Sequence, residues 1–411
     1  MRSLVSVSFS ALLTSFLAAA CSSSSSGNGF TADAGGGTDA KAPDGGAGDG
    51  GSATSLPFTP SNLADVLTGV DVSKLEDVDV AVAPYIIDTD KDDSATIQTQ
   101  KGGVVYKTIT QSDQSRIGVY IARSWRVEPQ AIVTIHGALP LALVSLTTLE
   151  VLGWIQADAD GVSANAGGGA APKTGSAKGG GPGGGAPATA TASGGSASGG
   201  GGYCAAGGTG GGMATTPSAG GVAYGKATLV PLLGGSSAGT GKFPGSGGGA
   251  VQLVAGVSIS IGANGTISAC GGGGGSGGSA KAGEASGGGG SGGAIRLEAP
   301  TVDVSGILAA NGGSGGGGSS GTGKDGSPDG NPALGGASGT AWSGGDGAAA
   351  AVTAGGNGAN GDVAQDFSPG GGGGAAGYIR INTTSGAAST TGGTLSPSAT
   401  TSCTTQGKLT P

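Results

Sequence analysis

The sequence predicts an all-β protein, a right-handed parallel β-helix (solenoid) in which short strands stack coil upon coil. Three alternating apolar pairs lie close together in residues 141–157, namely Leu141/Leu143, Leu149/Val151 and Ile155/Ala157. The gaps between these pairs are too short for helices, and alternate residues of a strand share one face. The same layout returns three times downstream, which is typical of a solenoid because one such unit cannot bury its apolar face alone.

The third pair carries the clearest repeat, a Gly-x-Ile/Leu-x-Ala pattern. It occurs at residues 153–157, 265–269 and 306–310, and residues 393–397 keep its first half. The other pairs recur in the same order, with the middle pair missing from the last copy: Val251/Leu253, Ile259/Ile261, Ile295/Leu297, Val302/Val304 and Ile379/Ile381. Unrelated strands in a glycine-rich chain are the alternative interpretation.

Upstream residues predict two coils of equal length. Val119/Ile121 precede Leu141/Leu143 by 22 residues, and Val133/Ile135 precede Ile155/Ala157 by the same step. Val127 is assigned to Leu149 by the same rule.

Long glycine-rich segments at residues 158–250, 270–294 and 311–378 separate the coils. Each follows the third pair of one coil and precedes the first pair of the next, which predicts loops inserted at one corner. Such loops could be flexible coils. They could also be extended polyglycine strands that bond side by side, because no Cβ intervenes. The second arrangement resembles the glycine-rich sheets of some antifreeze proteins and phage tail-tip adhesins. The irregular spacing of Ser, Ala, Thr and Lys favours flexible coils.

The N-terminus predicts export and lipid attachment. Residues 1–20 have Arg2, an apolar stretch too short to span a bilayer, and a junction that resembles a bacterial lipobox ending at Cys21. That resemblance implies a diacylglycerol on the Cys21 thiol, although Ala18 stands where the family usually has leucine. Ordinary cleavage before an unlipidated Cys21 is the alternative. Ser22 resembles the sorting pattern of outer-membrane lipoproteins, so we expect an outer-membrane anchor, at the periplasmic face or the cell surface.

Composition divides the rest of the chain. Residues 21–56 are rich in Ser, Gly, Asp and Ala and are expected to be a disordered tether. Residues 57–110 are expected to form an N-terminal cap with a short helix near residues 61–70 and a first imperfect coil. Residues 111–411 are the glycine-rich β-solenoid. With 97 glycines among 411 residues and 4% aromatics, only part of the chain can supply a core.

Charge and cysteine content limit the partners. The net charge of −8 argues against nucleic acid and against an anionic membrane surface. The membrane is therefore expected to be contacted only through the lipid, with an envelope or extracellular polysaccharide or protein as the open partner class. Beyond Cys21, the cysteines Cys204, Cys270 and Cys403 allow at most one disulfide and one free thiol, and the sequence leaves the pairing open. No cysteine pair has metal-site spacing.

Catalytic and metal-binding sequence patterns are weak, so no catalytic residue, metal site or cofactor is predicted. Residues 88–93 lack the glycine of a calcium loop, and residues 355–363 resemble a single calcium nonapeptide with Asn360 in place of aspartate. His136 at a strand end is interpreted as structural, and Trp154 is a weak candidate for glycan contact. For an enzyme of the polysaccharide lyase or hydrolase type, the outward-facing candidates are Glu150, Arg296, Glu298, Asp303 and Arg380. Arg296 and Glu298 are more simply interpreted as an ion pair on one face.

Several segments resemble the glycine-rich surface lipoproteins found in myxobacterial genomes. They are residues 17–26, the coil at 117–157, YGKATLVPLLGGS at 224–236, and the GGA-[IV]-x-L openings at Gly248 and Gly292. The resemblance implies surface location and β-helical repeats, and it supplies no catalytic residues. We therefore expect a non-enzymatic cell-envelope lipoprotein with a structural, display or adhesive role. The alternative is a carbohydrate-binding or carbohydrate-active β-helix protein.

Overall fold

The computed structural model describes residues 54–81, 84–90, 103–191, 194–278, 284–318, 320–337, 339 and 341–411. The predicted signal peptide, the Cys21 site and most of the predicted tether lie outside these residues. These described residues belong to one compact unit.

Strands dominate the regular structure, with a single short 3-10 helix, Val72–Lys74, in the described residues. The strands are β1 Asp77–Val80, β2 Tyr85–Asp88, β3 Val105–Thr110, β4 Arg116–Ala122, β5 Ser124–Val127, β6 Ile132–His136, β7 Leu141–Ser145, β8 Thr148–Val151, β9 Trp154–Gln156, β10 Thr189–Thr191, β11 Gly194–Ser196, β12 Gly212–Met213, β13 Ala250–Ala255, β14 Ser258–Ile261, β15 Thr266–Ser268, β16 Ala294–Glu298, β17 Thr301–Val304, β18 Ile307–Ala309, β19 Tyr378–Thr383, β20 Thr394–Ser396 and β21 Thr404–Lys408.

Three sheets enclose the main core. One sheet has the order β1-β5-β8-β14-β17, a second β2-β6-β9-β15-β18-β20, and the third β21-β19-β16-β13-β7-β4-β3. All pairings in these sheets are parallel except that of β3 with β4. Leu143, Leu149 and Ile155 come from the three different sheets and belong to one buried apolar cluster. The all-β part of the prediction therefore agrees with the structure.

The predicted right-handed parallel β-helix with loops at one corner is wrong. The strands form several separate, mainly parallel sheets of five to seven strands, β3 runs antiparallel, and β10–β12 form a further antiparallel sheet. Within the described residues there is no regular solenoid. The physical reason lies in the glycine-rich segments, which are too long and too well packed to act as corner loops. They form a body of their own and are inserted in the chain after β9, β15 and β18.

The downstream repeats nevertheless predicted strand register correctly. Leu141 pairs with Val251, Val251 with Ile295, and Ile295 with Ile379. The second and third pairs align in the same way: Leu149, Ile259 and Val302 in one sheet, and Ile155, Ile267, Leu308 and Leu395 in another. The missing middle pair of the last copy is replaced by an isolated bridge between Asp303 and Ser389.

The upstream register was predicted correctly in only one of three sheets. Val133 pairs with Ile155 as expected. Val119, however, pairs with Ala142, and Val127 pairs with Val151 rather than Leu149. In the sheet of β4 and β7 both faces are buried, so two apolar sets alternate and the pattern cannot distinguish them. A slip of one residue exchanges the two faces.

The glycine-rich segments form a hydrogen-bonded body instead of flexible loops. We call the described residues of 158–250, 270–294 and 311–378 the glycine body. Residues 371–376 show how its segments pair. Every third residue in this stretch donates its backbone N–H to the same neighbouring segment, with N···O distances of 2.8–3.0 Å. Residues 371 and 374 donate to residues 316 and 313, residues 372 and 375 to residues 198 and 201, and residues 373 and 376 to residues 356 and 353. A repeat of three residues per turn without internal hydrogen bonds is that of a polyproline II helix.

Glycine is required here for close approach between backbones. A Cβ added at Gly373 would overlap the carbonyl oxygen of Asp346, and one at Gly208 would overlap that of Gly356. Neither glycine has a positive φ, so packing rather than backbone conformation excludes larger residues.

Serine hydroxyls complete the hydrogen bonding where a backbone partner is missing. Each of several buried serines accepts a hydrogen bond from a backbone N–H of another segment: Ser198 from Gly288, Ser236 from Gly183, Ser246 from Ala171, and Ser286 from Gly277. Buried backbone N–H groups must be satisfied. The irregular serine spacing therefore follows the positions where a backbone N–H of the glycine body bonds to a serine hydroxyl. It does not indicate flexible coils, so that expectation was wrong.

The N-terminal segment covers the outer face of the seven-stranded sheet. Phe58, Leu63, Val66 and Leu75 are buried against a second apolar cluster that contains the outward side chains of β4 and β7. Residues 61–69 form turns rather than the expected helix, and Asn62 and Asp65 have positive φ values.

Prediction for the glycine body. Gly373→Ala should lower the free energy of unfolding by about 3 kcal/mol, because the added methyl group overlaps the carbonyl oxygen of Asp346. Gly330→Ala is the matched control, since no atom lies within 4 Å of its added Cβ. Urea unfolding of both variants measures the difference. Equal stabilities would show that the glycine segments are not packed as described.

Candidate functional site

The candidate site is a cleft of about 380 Å³ on the glycine body. Four chain segments line it, at Gly175, residues 188–189, residues 240–242 and residues 284–285. Most of these residues are small, so the walls consist largely of backbone. The side chains of Lys242 and Glu284 provide the charge.

Backbone hydrogen bonds hold the walls of the cleft together. Ala188 N donates to Thr240 O at 2.7 Å, Thr240 N to Ala177 O at 2.9 Å, and Lys242 N to Ala285 O at 2.9 Å. The Thr240 hydroxyl adds bonds to both main-chain groups of Ala177. The cleft is thus shaped by main chain that is already paired.

Lys242 and Glu284 form an ion pair at the cleft, with Nζ and Oε2 3.4 Å apart. Their side chains are 38% and 48% exposed, so both heads remain accessible to solvent. An exposed pair of this kind contributes little to stability.

Phe243 follows the cleft residue Lys242 in the chain and is 65% exposed, the most exposed of the large apolar side chains in the described residues. Its φ of 46° is in the left-handed region, which is unfavourable for a bulky residue. Its carbonyl accepts a hydrogen bond from Gly275 N, and Gly275 has no side chain to displace the ring.

No sequence motif predicted Lys242, Phe243 or Glu284 as site residues. Lys242-Phe243 is an adjacent cation and aromatic residue inside a run of small residues, and that contrast was the available signal. Glu284 is brought to them from another glycine segment, which no local pattern reveals.

Trp154, the candidate for glycan contact, lies elsewhere and is half-buried. Its Nε1 donates to Ser268 Oγ at 2.8 Å, and that hydroxyl donates to Asp158 Oδ2 at 2.7 Å. Asp158 Oδ1 also accepts from Cys270 N at 2.6 Å. The indole N–H is therefore engaged inside the protein.

The structure joins Cys204 to Cys403 in a disulfide, with Cα atoms 5.7 Å apart and a sequence separation of 199. This link ties the glycine body to the chain just before β21. Cys270 is a buried thiol, and burial followed by the nearby Asp158 charge raises its pKa. A thiol held protonated in this way is a poor nucleophile.

The residues considered for an enzyme are dispersed. Arg296 and Glu298 form the predicted ion pair, 2.8 Å apart, but both are buried beneath the N-terminal segment. Ser61 N and Gln252 Nε2 also donate to the Glu298 carboxylate, at 3.0 and 2.7 Å. This network attaches the N-terminal segment to the sheet, which is a structural role.

The remaining enzyme candidates are held apart from this network or bound to other groups. Glu150 pairs with Arg126, and Arg380 donates to Asn382 Oδ1 and to Gln406 O. Asp303 is exposed in β17. His136 is exposed at the end of β6, where its carbonyl accepts from Thr89 N.

The two calcium-like segments use their oxygens to bind backbone amides. Asn357 Oδ1 accepts from Thr209 N at 2.9 Å, and Asn360 Oδ1 accepts from Gly212 N at 3.0 Å. Asn357 and Asn360 are three residues apart, and so are Thr209 and Gly212, which matches the three-residue repeat of the glycine body. These asparagines therefore cap an edge of the glycine body. Asp90 Oδ1 accepts from Ala138 N, and residues 91–93 of that loop lie outside the described residues. Across the described residues no group of three His, Cys, Asp or Glu side chains could hold a metal ion.

Comparison with known proteins finds no matching family model, no matching curated protein and no matching solved structure. In the described part of the chain, no helix has the length and apolar character needed to cross a membrane.

Prediction for the edge of the glycine body. Asn357→Ala and Asn360→Ala should each cost about 1 kcal/mol of stability, because one backbone N–H loses its acceptor. Hydrogen exchange should accelerate at Thr209 in the first variant and at Gly212 in the second. Asn264→Ala, in an exposed turn, serves as the control. Unchanged exchange at both amides would disprove the capping role.

Prediction for pH. Burial raises the pKa of Asp158 to about 6, against opposing hydrogen bonds from Cys270 and Ser268. Between about pH 4 and 6 the folded protein therefore retains a proton that the unfolded chain has released, and stability falls as pH rises. The total loss is about 3 kcal/mol for a pKa difference of about 2 units.

Asp158→Asn should flatten this decline, measured by urea unfolding from pH 4 to 7. Burial also raises the pKa of Asp325, so part of the slope should remain. Asp303→Asn, at an exposed carboxylate, is the control. If the stability of Asp158→Asn falls with rising pH as steeply as that of the wild type, the raised pKa assigned to Asp158 is contradicted.

Proposed function

We propose that the protein is a non-enzymatic, lipid-anchored component of the bacterial outer membrane with a structural or adhesive role, displaying its glycine body away from the membrane. The disulfide between Cys204 and Cys403 carries the proposal, since such bonds persist in the periplasm and outside the cell. The lipobox-like junction before Cys21 supports the same compartment.

The glycine body supports a scaffold role. Its segments are bonded to several neighbours each through paired main-chain groups, so the surface is stiff without a large apolar core. A stiff surface presents contact groups at low entropic cost, which favours display or adhesion.

Several of the residues considered for a carbohydrate-active enzyme are engaged in other contacts. Arg296 and Glu298 are buried in an internal network, and Glu150 is paired with Arg126. The cleft at Lys242 and Glu284 is the observation that favours carbohydrate binding without catalysis.

Prediction for the anchor. The mature protein extracted in detergent should begin at a diacylglyceryl-modified Cys21 and should fractionate with the outer membrane. Cys21→Ala should lose the modification and leave the membrane fraction, because no thiol remains to carry the lipid. Intact mass spectrometry and membrane fractionation measure both.

Ser26→Ala, in the same serine run, is the matched control and should behave as the wild type. Adhesion of cells to surfaces should fall in Cys21→Ala cells only. An unmodified N-terminus in the soluble fraction of wild-type cells would overturn the anchor. Unchanged adhesion after loss of the protein would overturn the adhesive role.

A further inference from the structure

We propose that the cleft between Lys242 and Glu284 binds a neutral polysaccharide, with the Phe243 ring as the platform for one pyranose unit. This inference deepens the proposed adhesive function and rests on it for its biological meaning. Binding itself is a property of the folded cleft, and it can be tested without the anchor.

The cleft is preformed. The hydrogen bonds among residues 177, 188, 240, 242 and 285 fix all of its walls except that at Gly175. Its volume of about 380 Å³ falls within the range typical of small-ligand sites, roughly 300–1,000 Å³. A ligand would meet walls that need no ordering, which lowers the cost of binding.

The charged pair suits hydroxyl groups. A lysine ammonium offers three donors and a carboxylate about four acceptor positions. The contact between Lys242 and Glu284 at 3.4 Å occupies one of each. Vicinal hydroxyls both donate and accept, so they can bridge an ammonium and a carboxylate held side by side.

The charge balance favours a neutral ligand. Lys242 and Glu284 cancel locally, and the whole chain carries a net charge of −8. An acidic saccharide would meet the Glu284 carboxylate at the cleft and an overall repulsive field.

Phe243 supplies the apolar contact that a pyranose ring requires. Its ring is 65% exposed although φ is 46°, so the chain holds a large apolar side chain in water in an unfavourable conformation. Strain that persists in this way points to a functional requirement. Aromatic side chains bind through a large rigid surface with few rotatable bonds, and such a surface matches the C–H face of a sugar.

The experiment uses the full-length mature protein in detergent micelles and three soluble neutral probes: dextran, a β-1,3-glucan and a mannan. Polygalacturonate is the anionic comparison. Affinity electrophoresis and calorimetry should show binding to at least one neutral probe, with polygalacturonate bound more weakly. Phe243→Gly and Glu284→Gln should weaken that binding at least tenfold.

Phe243→Gly also separates binding from folding. Glycine tolerates the positive φ, so this variant should unfold at the same temperature as the wild type or higher while losing affinity. Val222→Ala, at an exposed apolar residue remote in sequence, and Lys173→Ala, at an exposed lysine, are the controls and should bind as the wild type.

Three results would overturn the proposal: no binding to any neutral probe, undiminished affinity in both cleft variants, or preferential binding of polygalacturonate. Cys21→Ala protein should bind the probe normally, so failure of the anchor is distinguishable from failure of the cleft. Cells that carry Phe243→Gly and still adhere fully would separate saccharide binding from the adhesive role.

Discussion

Hydrogen bonding between glycine backbones is the interaction on which the rest of this structure depends. At Gly373, Gly208 and many similar positions the carbonyl of a neighbouring segment occupies the space that a Cβ would need. Since side chains are absent, each segment can contact several others and donate to them in turn. The resulting body is held by paired main-chain groups rather than by apolar burial, which explains how a chain so poor in aromatic residues forms a compact unit.

The glycine body is attached to the sheets by polar side chains and a disulfide, in addition to the apolar packing of Leu229 and Leu232 against the outer face of the largest sheet. Asp158 links the end of β9 to Cys270 at the start of a glycine segment. The disulfide links Cys204 in the glycine body to Cys403 before β21. Arg296 and Glu298 fasten the N-terminal segment to the outer face of the largest sheet. Charged and reactive side chains thus serve in several places as attachments, whereas Lys242 and Glu284 form an ion pair that remains accessible at the cleft.

Much of the sheet structure could be predicted, because alternation at period two is a strong local signal. Val251, Ile295 and Ile379 align as their repeats indicated. Alternation failed to predict the register at Val119, where both faces of the strand are buried and two apolar registers compete. It also failed for the cleft, since Glu284 reaches Lys242 only through the packing of separate glycine segments.

The sequence by itself determined the strand repeats and the compositional division between strands and glycine-rich segments. It also limited the three downstream cysteines to one disulfide. Only the tertiary structure decided that the glycine segments pack into one body, which cysteines pair, and that Phe243, next to Lys242 of the cleft, is exposed. The physical reason is that strand patterns are carried by side chains, which the sequence specifies. Contacts between glycine backbones are carried by groups that every residue has, so the sequence does not indicate which segments will pair.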